Sequence, residues 1–443
     1  MDDGRLPEQM SLQYDEFSDL LGGAVWEEAG RSGLSIGRQQ IILPLSSYFS
    51  SRRQFLFSDD RQRFPLEVLW LKWNLFLGLC RRIQRIHQEH QRPLLNLQPA
   101  HLRVMMLGAT EDFFPVRWGF SLDTSNLQLA DRFIPPGVPA DLPAPLFTPP
   151  PDAHPLYAPP LVSRQGVEQG ETATLLVRST ERMRESQPGS VRGIVQAQLV
   201  SDHLKASDYS MGDLFLVTPP FAEEEAEPLR IWGSKRASAE RGVLLQGVTE
   251  PVSPSLWEQF EKARQKVFSR SAVVIYKSLH IPCDLYSLGM ILFRTLLVND
   301  RQEFDSIHEV IGRTAEQLGP ISLSIDDQGK QFLSRRLRFY LRKEGELLSK
   351  RAILYRRQER ESGGEAVPDD LWTEALLTGF RLIQARGDFP LDQLGGLIDP
   401  IIADAERLRD RIKLELFGSR ERNREILEAC DLIRKELSDV RSG

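Results

Sequence analysis

Eleven prolines crowd the span between Pro135 and Pro160 of this 443-residue chain. Proline has no amide proton and a fixed φ, so neither a helix nor a central strand can run through such a segment. It must be extended and follow a surface, or serve as a plain linker. It also separates stretches of unlike texture. Before it, apolar residues recur at helical spacing from Pro65 to Glu89 (Val68, Leu71, Leu75, Leu79, Ile83, Ile86), which predicts a buried helix. After it, from about Gly166 to Ser278, short β-favouring runs alternate with polar turns: "TATLLVR", "VRGIVQAQLV", "DLFLVTP", "LRIWG", "RGVLLQGV" and "AVVIYKS". One helix-like run, Pro254 to Arg270, interrupts them. Five or six strands in this length predict a small barrel of the SH3-like or OB-like kind. Beyond Pro282 the chain reads as helical to its end.

Length suits two or three domains. With 41% hydrophobic and 27% charged residues the composition is that of a globular protein, and a net charge of −6 gives no global basic footprint for nucleic acid. Cys80, Cys283 and Cys430 are too far apart for a zinc motif or a disulfide framework, so a reducing, cytoplasmic setting is expected. The opening "MDDGRLPEQM" is not the pattern of a signal peptide. The longest apolar run, Pro65 to Cys80, carries Glu67 and Lys72 and falls short of the about 20 apolar residues a membrane span needs.

The stretch "HQRPLLNLQPAHLRVMMLG", His90 to Gly108, has the outline of a catalytic loop between a long helix and a strand. Downstream come "VRWGFS", then "LYAPP" (Leu156 to Pro160), then "CDLYSLGMILFRTLL". In this order the four segments resemble the C-lobe of protein kinases, and the last, matching D-x-[WY]-S-[LFV]-G, is the most specific. "IILPLSSYF" resembles the strand, hinge and first helix that join the two kinase lobes. The resemblance covers roughly residues 39–160 and 278–385.

What the resemblance implies for chemistry is mostly loss. The positions of H-R-D-x-x-x-x-N fall on Leu94, Leu95, Asn96 and His101. Asn96 stands where the proton-accepting aspartate would be, and an amide cannot act as that base. Gln98 occupies the loop lysine position and His101 that of the metal-binding asparagine. The DFG aspartate falls on Arg117, where a cation would repel Mg²⁺. Pro160 replaces the glutamate of APE. The first lysine of the chain is Lys72, downstream of the hinge-like segment, so the phosphate-holding lysine of an N-lobe strand has no counterpart. What the resemblance retains is structural: Asp284, with Tyr286 and Gly289, opens the central helix, and Asp284 is expected to hydrogen-bond the former catalytic loop. A simple helix N-cap is the bland reading of the same residue.

Other patterns weigh less. His87 and His90 have i, i+3 spacing that could offer two metal ligands, but no third ligand of matching character is nearby in sequence, so a metal site is not expected. The acidic run "AEEEAEP" and the cationic stretch from Arg335 to Arg357 read as solvated surfaces.

The expected architecture is α+β: a mainly helical kinase-like C-lobe with an inserted small β-barrel-like domain and a C-terminal helical extension. Residues 1–45 form a truncated N-lobe remnant and 46–165 the first half of the lobe with its proline-rich stretch. Residues 166–278 form a separable β insert, 279–390 the second half of the lobe, and 391–443 amphipathic helices. The expected function is that of a catalytically inactive scaffold, without cofactor, metal or small-molecule substrate, that holds protein partners through the insert and the C-terminal helices. The alternatives are a kinase-fold enzyme with non-standard nucleotide chemistry and a nucleic-acid binder using the insert as an OB-like platform. The insert's sparse aromatics and acidic run weigh against the last.

Overall fold

A computed structural model describes residues 10–11, 40–44, 65–107, 119–124, 126–135, 138, 140–141, 145–159, 164–183, 188–200, 212–218, 228–239, 242–262, 267–268, 273–297, 301–343, 369–385 and 395–418. The architecture is mixed: a helical body, a small four-stranded sheet and a curled antiparallel sheet.

The body is built on two buried helices, the first of which the apolar spacing anticipated. Helix α1 (Pro65–His90) buries nearly every side chain from Lys72 to Cys80. Its C-terminal end leads through a short loop and a 3-10 turn (Pro99–His101) into a small antiparallel sheet. That sheet comprises β1 (Met10–Ser11), β2 (Gln40–Pro44), β3 (Arg103–Leu107) and β4 (Gly119–Asp123), in the order β1-β4-β3-β2. Arg117, aligned with the DFG aspartate, and Pro160 lie outside the described residues, as does the acidic run up to Glu227. Gly119, the last residue of the aligned triplet, opens β4.

The proline-dense segment does not behave as a plain linker. It contains a two-stranded ribbon of β5 (Asp131–Phe133) and β6 (Leu146–Thr148). Two short strands sit between the prolines, so no ladder amide is lost to them. Phe133, Val138 and Leu146 cover the outside of the curled sheet, against Leu214, Leu216, Trp232, Val274 and Tyr276.

Helix α2 (Arg164–Gln169) precedes the curled sheet. Its strands are β7 (Glu171–Thr172), β8 (Thr174–Arg182), β9 (Gly193–Val200), β10 (Leu214–Val217), β11 (Leu229–Ala239), β12 (Gly242–Thr249), β13 (Val267–Phe268) and β14 (Val273–Tyr276). They pair antiparallel in the order β13-β8-β9-β12-β11-β10-β14-β7. Only Ala173 separates β7 from β8 in sequence, yet β7 pairs with β14 and β8 with β9. One bent strand therefore pairs at one end of the order and next to the other, which curls the sheet.

Its interior follows from period-two burial: Val243, Leu245, Gly247 and Thr249 of β12 point in, with Leu175, Val177, Val195, Phe215, Ile231 and Ile275 from other strands. Helix α3 (Pro254–Lys262) plugs one end with Trp257 and Phe260, both fully buried. Gly193 leaves the room, since a Cβ there would lie 2.1 Å from the Trp257 ring. The helix-like run to Arg270 thus divides. It ends as a helix at Lys262, and Val267–Phe268 pair with β8 instead.

Helix α4 (Ile281–Leu297) is buried over almost its whole length, as an all-round apolar helix must be. Around it pack α5 (Arg301–Leu318), α6 (Asp327–Lys343) and α7 (Asp369–Ile383). At the α4–α7 crossing a Cβ on Gly289 would sit 2.9 Å from the Gly379 carbonyl oxygen, so glycine sets how closely the backbones approach. Beside it Phe293 and Phe380 meet edge to face at 4.8 Å.

Helix α8 (Asp399–Gly418) departs from the expectation of an appended tail. Ile401, Ile402, Ala405, Leu408 and Ile412 join the main core, and the Trp73 indole donates to the Ala405 carbonyl at 2.7 Å. Buried Asp404 draws Lys330 (2.7 Å), Arg381 (2.5 Å) and Arg407 together. Burial pushes the Asp404 carboxyl up, but the hydrogen bonds and charges of Lys330 and Arg381 outweigh it and hold the group below the usual carboxylate range. The apolar face of α8 is spent inside the fold.

A candidate functional site at the loop between the long helix and the small sheet

Two residues with left-handed backbones shape the loop. Gln91 (φ 51°) ends α1, its amide returning to the His87 carbonyl at 2.9 Å. Leu95 (φ 58°) is buried, and for a branched side chain this conformation costs on the order of 1–2 kcal/mol. The strain is held by what it achieves: a turn that aims consecutive amides at one point, a concavity suited to an anion. Asp284 supplies the anion. Its Oδ2 accepts from the Leu94 amide at 2.8 Å and its Oδ1 from the Leu95 amide at 2.9 Å. His87 Nε2 lies 2.8 Å from Oδ2, and Asp284 and His87 are both at most 1% exposed. Asp284 therefore does more than cap its own helix: it ties α4 to the loop and to the end of α1.

The next residues are engaged with one another. His101 places Nδ1 at 2.9 Å from the Asn96 carbonyl and Nε2 at 2.8 Å from the Asp152 carboxylate. Gln98 Nε2 donates to the Asp152 carbonyl at 2.9 Å. The Asn96 side chain is buried, with Oδ1 lacking a hydrogen-bond partner among the described residues. The proline-dense segment thus closes over the loop through Asp152. A little further on, Tyr157 is buried in the main core and its carbonyl accepts from the Ser287 hydroxyl at 2.7 Å. Tyr286 and Gly289 lie inward on α4 and serve packing.

Of the sequence-selected residues, the structure brings Leu94, Leu95, Asp284 and His87 together, and Asn96, Gln98 and His101 beside them. His87 is committed to Asp284, while His90 holds a buried Nε2 with no partner among the described residues. Among the described residues no group of three or more His, Cys, Asp or Glu could hold a metal ion. Burial pushes the Cys80 thiol far up.

Sequence reading missed a second polar junction, where the curled sheet meets α4. Asp213 is buried and its Oδ1 accepts from the Ser278 amide at 2.6 Å. His280 is buried against Phe147, and burial lowers its pKa to about 4. Its Nε2 and the Ser278 hydroxyl both lack partners among the described residues and lie within 3.4 Å and 3.1 Å of where a Cβ on Gly212 would stand. The only signal in sequence was polar residues clustered between a strand and a buried helix.

Among the described residues no helix is long and apolar enough to cross a membrane. No family model, no curated protein and no solved structure matches the chain.

Proposed function

We propose that the chain is a degenerate, kinase-like scaffold: a protein that retains the architecture around a former catalytic loop and uses it to hold protein partners rather than to transfer phosphate. The observation that carries this reading is the buried carboxylate of Asp284 on the amides of Leu94 and Leu95, which gives the loop a fixed shape. A fixed shape alone performs no chemistry. The position for a general base is the buried amide Asn96, and Gln98 and His101 spend their polar atoms on Asp152 and the Asn96 carbonyl. Residues 1–71 contain no lysine, so none among them could take the place of the phosphate-holding lysine of a kinase N-lobe strand. The curled sheet would then be a domain inserted before the central helix, and fold alone does not name its partner.

Calorimetry with Mg·ATP and an autophosphorylation assay test the reading. The expected result is no binding and no incorporation of phosphate. Saturable micromolar binding, or phosphate transfer lost on changing Asn96, would overturn it.

A further inference from the structure

Where the curled sheet runs into α4, two buried polar side chains gather around one glycine. Gly212 (φ 91°) precedes β10 in a backbone conformation that favours glycine. Its amide donates to the Gly233 carbonyl and the Gly233 amide to the Asp213 carbonyl, both at 2.9 Å, so this backbone is pinned. The Asp213 carboxylate accepts from the Ser278 amide at 2.6 Å, which fixes Ser278 beside the glycine. Two residues on, the His280 carbonyl accepts from the Cys283 amide at 2.8 Å and starts α4.

Both side chains reach back to Gly212. From where a Cβ on it would stand, Ser278 Oγ is 3.1 Å away and His280 Nε2 3.4 Å. Apart from the glycine's own chain neighbours, the next atom is Ser278 Cβ at 3.6 Å. Ser278 is 5% exposed and His280 8%, and neither Oγ nor Nε2 has a hydrogen-bond partner among the described residues. Most buried polar side-chain atoms in folded proteins pair with protein or with ordered water. Two of them converging on one point mark a site the size of a single small molecule. We propose that Ser278 Oγ and His280 Nε2 together bind a buried water molecule over Gly212, which bridges the curled sheet to the start of α4.

Chemistry selects water over other occupants of that size. A hydroxyl and a neutral imidazole can each donate or accept, and water, with two hydrogens and two lone pairs, answers either tautomer. Burial keeps the imidazole neutral by lowering its pKa to about 4. An anion would be repelled by the buried carboxylate of Asp213 beside it. A transition metal needs more ligands, and no group of three His, Cys, Asp or Glu gathers here among the described residues. Phe147 of the proline-dense segment closes one side, its ring edge-on to the imidazole at 6.3 Å.

A high-resolution crystal structure of the full chain tests this directly. Expected is one density peak within about 2.7–3.2 Å of both Oγ and Nε2. No shared peak, or a direct bond between the two side chains, overturns the proposal. So does a peak about 2.0–2.1 Å from Nε2, which would be a metal. Urea unfolding gives a second readout in solution. A hydroxyl that holds water is missed when removed, so Ser278→Ala should lower the midpoint; a hydroxyl buried with no partner is better removed, and the midpoint would rise. Either Ser278→Ala or His280→Met releases a shared water, so the double variant should lose less than the sum of the two. A raised midpoint for Ser278→Ala, or strictly additive losses, would overturn the bridge.

Discussion

At the scale of the residue, Asp284 and His280 are opposite solutions to burying polarity. Asp284 is surrounded by donors; His280 is left without a hydrogen-bond partner for Nε2 among the described residues. Asp284→Ala would orphan the amides of Leu94 and Leu95 together with His87, and the expected loss is about 2–4 kcal/mol, the scale for charged hydrogen bonds in a core. Chemical denaturation measures it, and a midpoint equal to the parent's would mean the carboxylate holds nothing. For His280 the sign follows from linkage. Its pKa falls from 6.5 to about 4 on folding, so below the unfolded value the unfolded chain binds the extra proton. The stability is complete above that value and is lost as pH falls towards the folded one, by about 3 kcal/mol in total. Urea unfolding at pH 7 and pH 4.5 should show a larger acid loss for the parent than for His280→Asn, which carries no titrating ring. Equal losses would show that the imidazole does not titrate as buried.

Among elements, the crossing of α4 and α7 is set by close backbone approach. The Cβ of Gly289→Ala would meet Ile383 at 2.6 Å and the Gly379 carbonyl at 2.9 Å. A side chain could move aside, but a backbone carbonyl inside a helix cannot, so the helices must separate. Overpacking of this kind costs about 1–3 kcal/mol, and thermal unfolding should report a lowered Tm. A neutral outcome would mean that the two helices are looser than their packing around Phe293 and Phe380 implies. The same elements show how far sequence reaches. Periodicity located α1 because burial repeats along a helix, while α4 and α7 were legible only as part of a helical stretch beyond Pro282. The run from Pro254 to Arg270 reads as one helix, but it ends at Lys262. Only the pairing of Val267–Phe268 with β8 sets the rest of that run apart.

For the whole molecule, the question is whether residues 166–278 are an appended module. Their own core is continuous through Trp257 and Phe260. Their outer face is nonetheless covered by Phe133, Val138 and Leu146, and Val167 packs with Leu95, Ala130 and Phe147 near the loop. Replacing 166–278 by a short Gly/Ser linker would re-expose these groups at a cost of about 4 kcal/mol or more, taking 1.5–3 kcal/mol for each large apolar side chain. The shortened chain is therefore expected to melt lower, bind a hydrophobic dye and aggregate on size-exclusion chromatography. A monodisperse remainder with the parent's Tm would restore the view of a domain carried on a neutral linker.

What the sequence by itself determined was local and periodic. It located the two buried helices, the strand runs and the break in texture at the prolines. It also identified Asp284 as a carboxylate opening an apolar helix, through a motif that resembles one family's. Burial period and proline geometry act within a few residues, so they are written in the chain. Only the tertiary structure decided which distant groups meet. It curled the antiparallel sheet through a strand bent at Ala173, brought α8 into the core against Trp73, and laid the proline-dense segment over both the loop and the sheet. It also left His280 Nε2 without a hydrogen-bond partner among the described residues and Phe332 and Phe339 exposed. An apolar residue is equally apolar in a core and on a surface, and a histidine carries no mark of what it will face. Those outcomes depend on the packing of residues far apart in sequence, which no local pattern encodes.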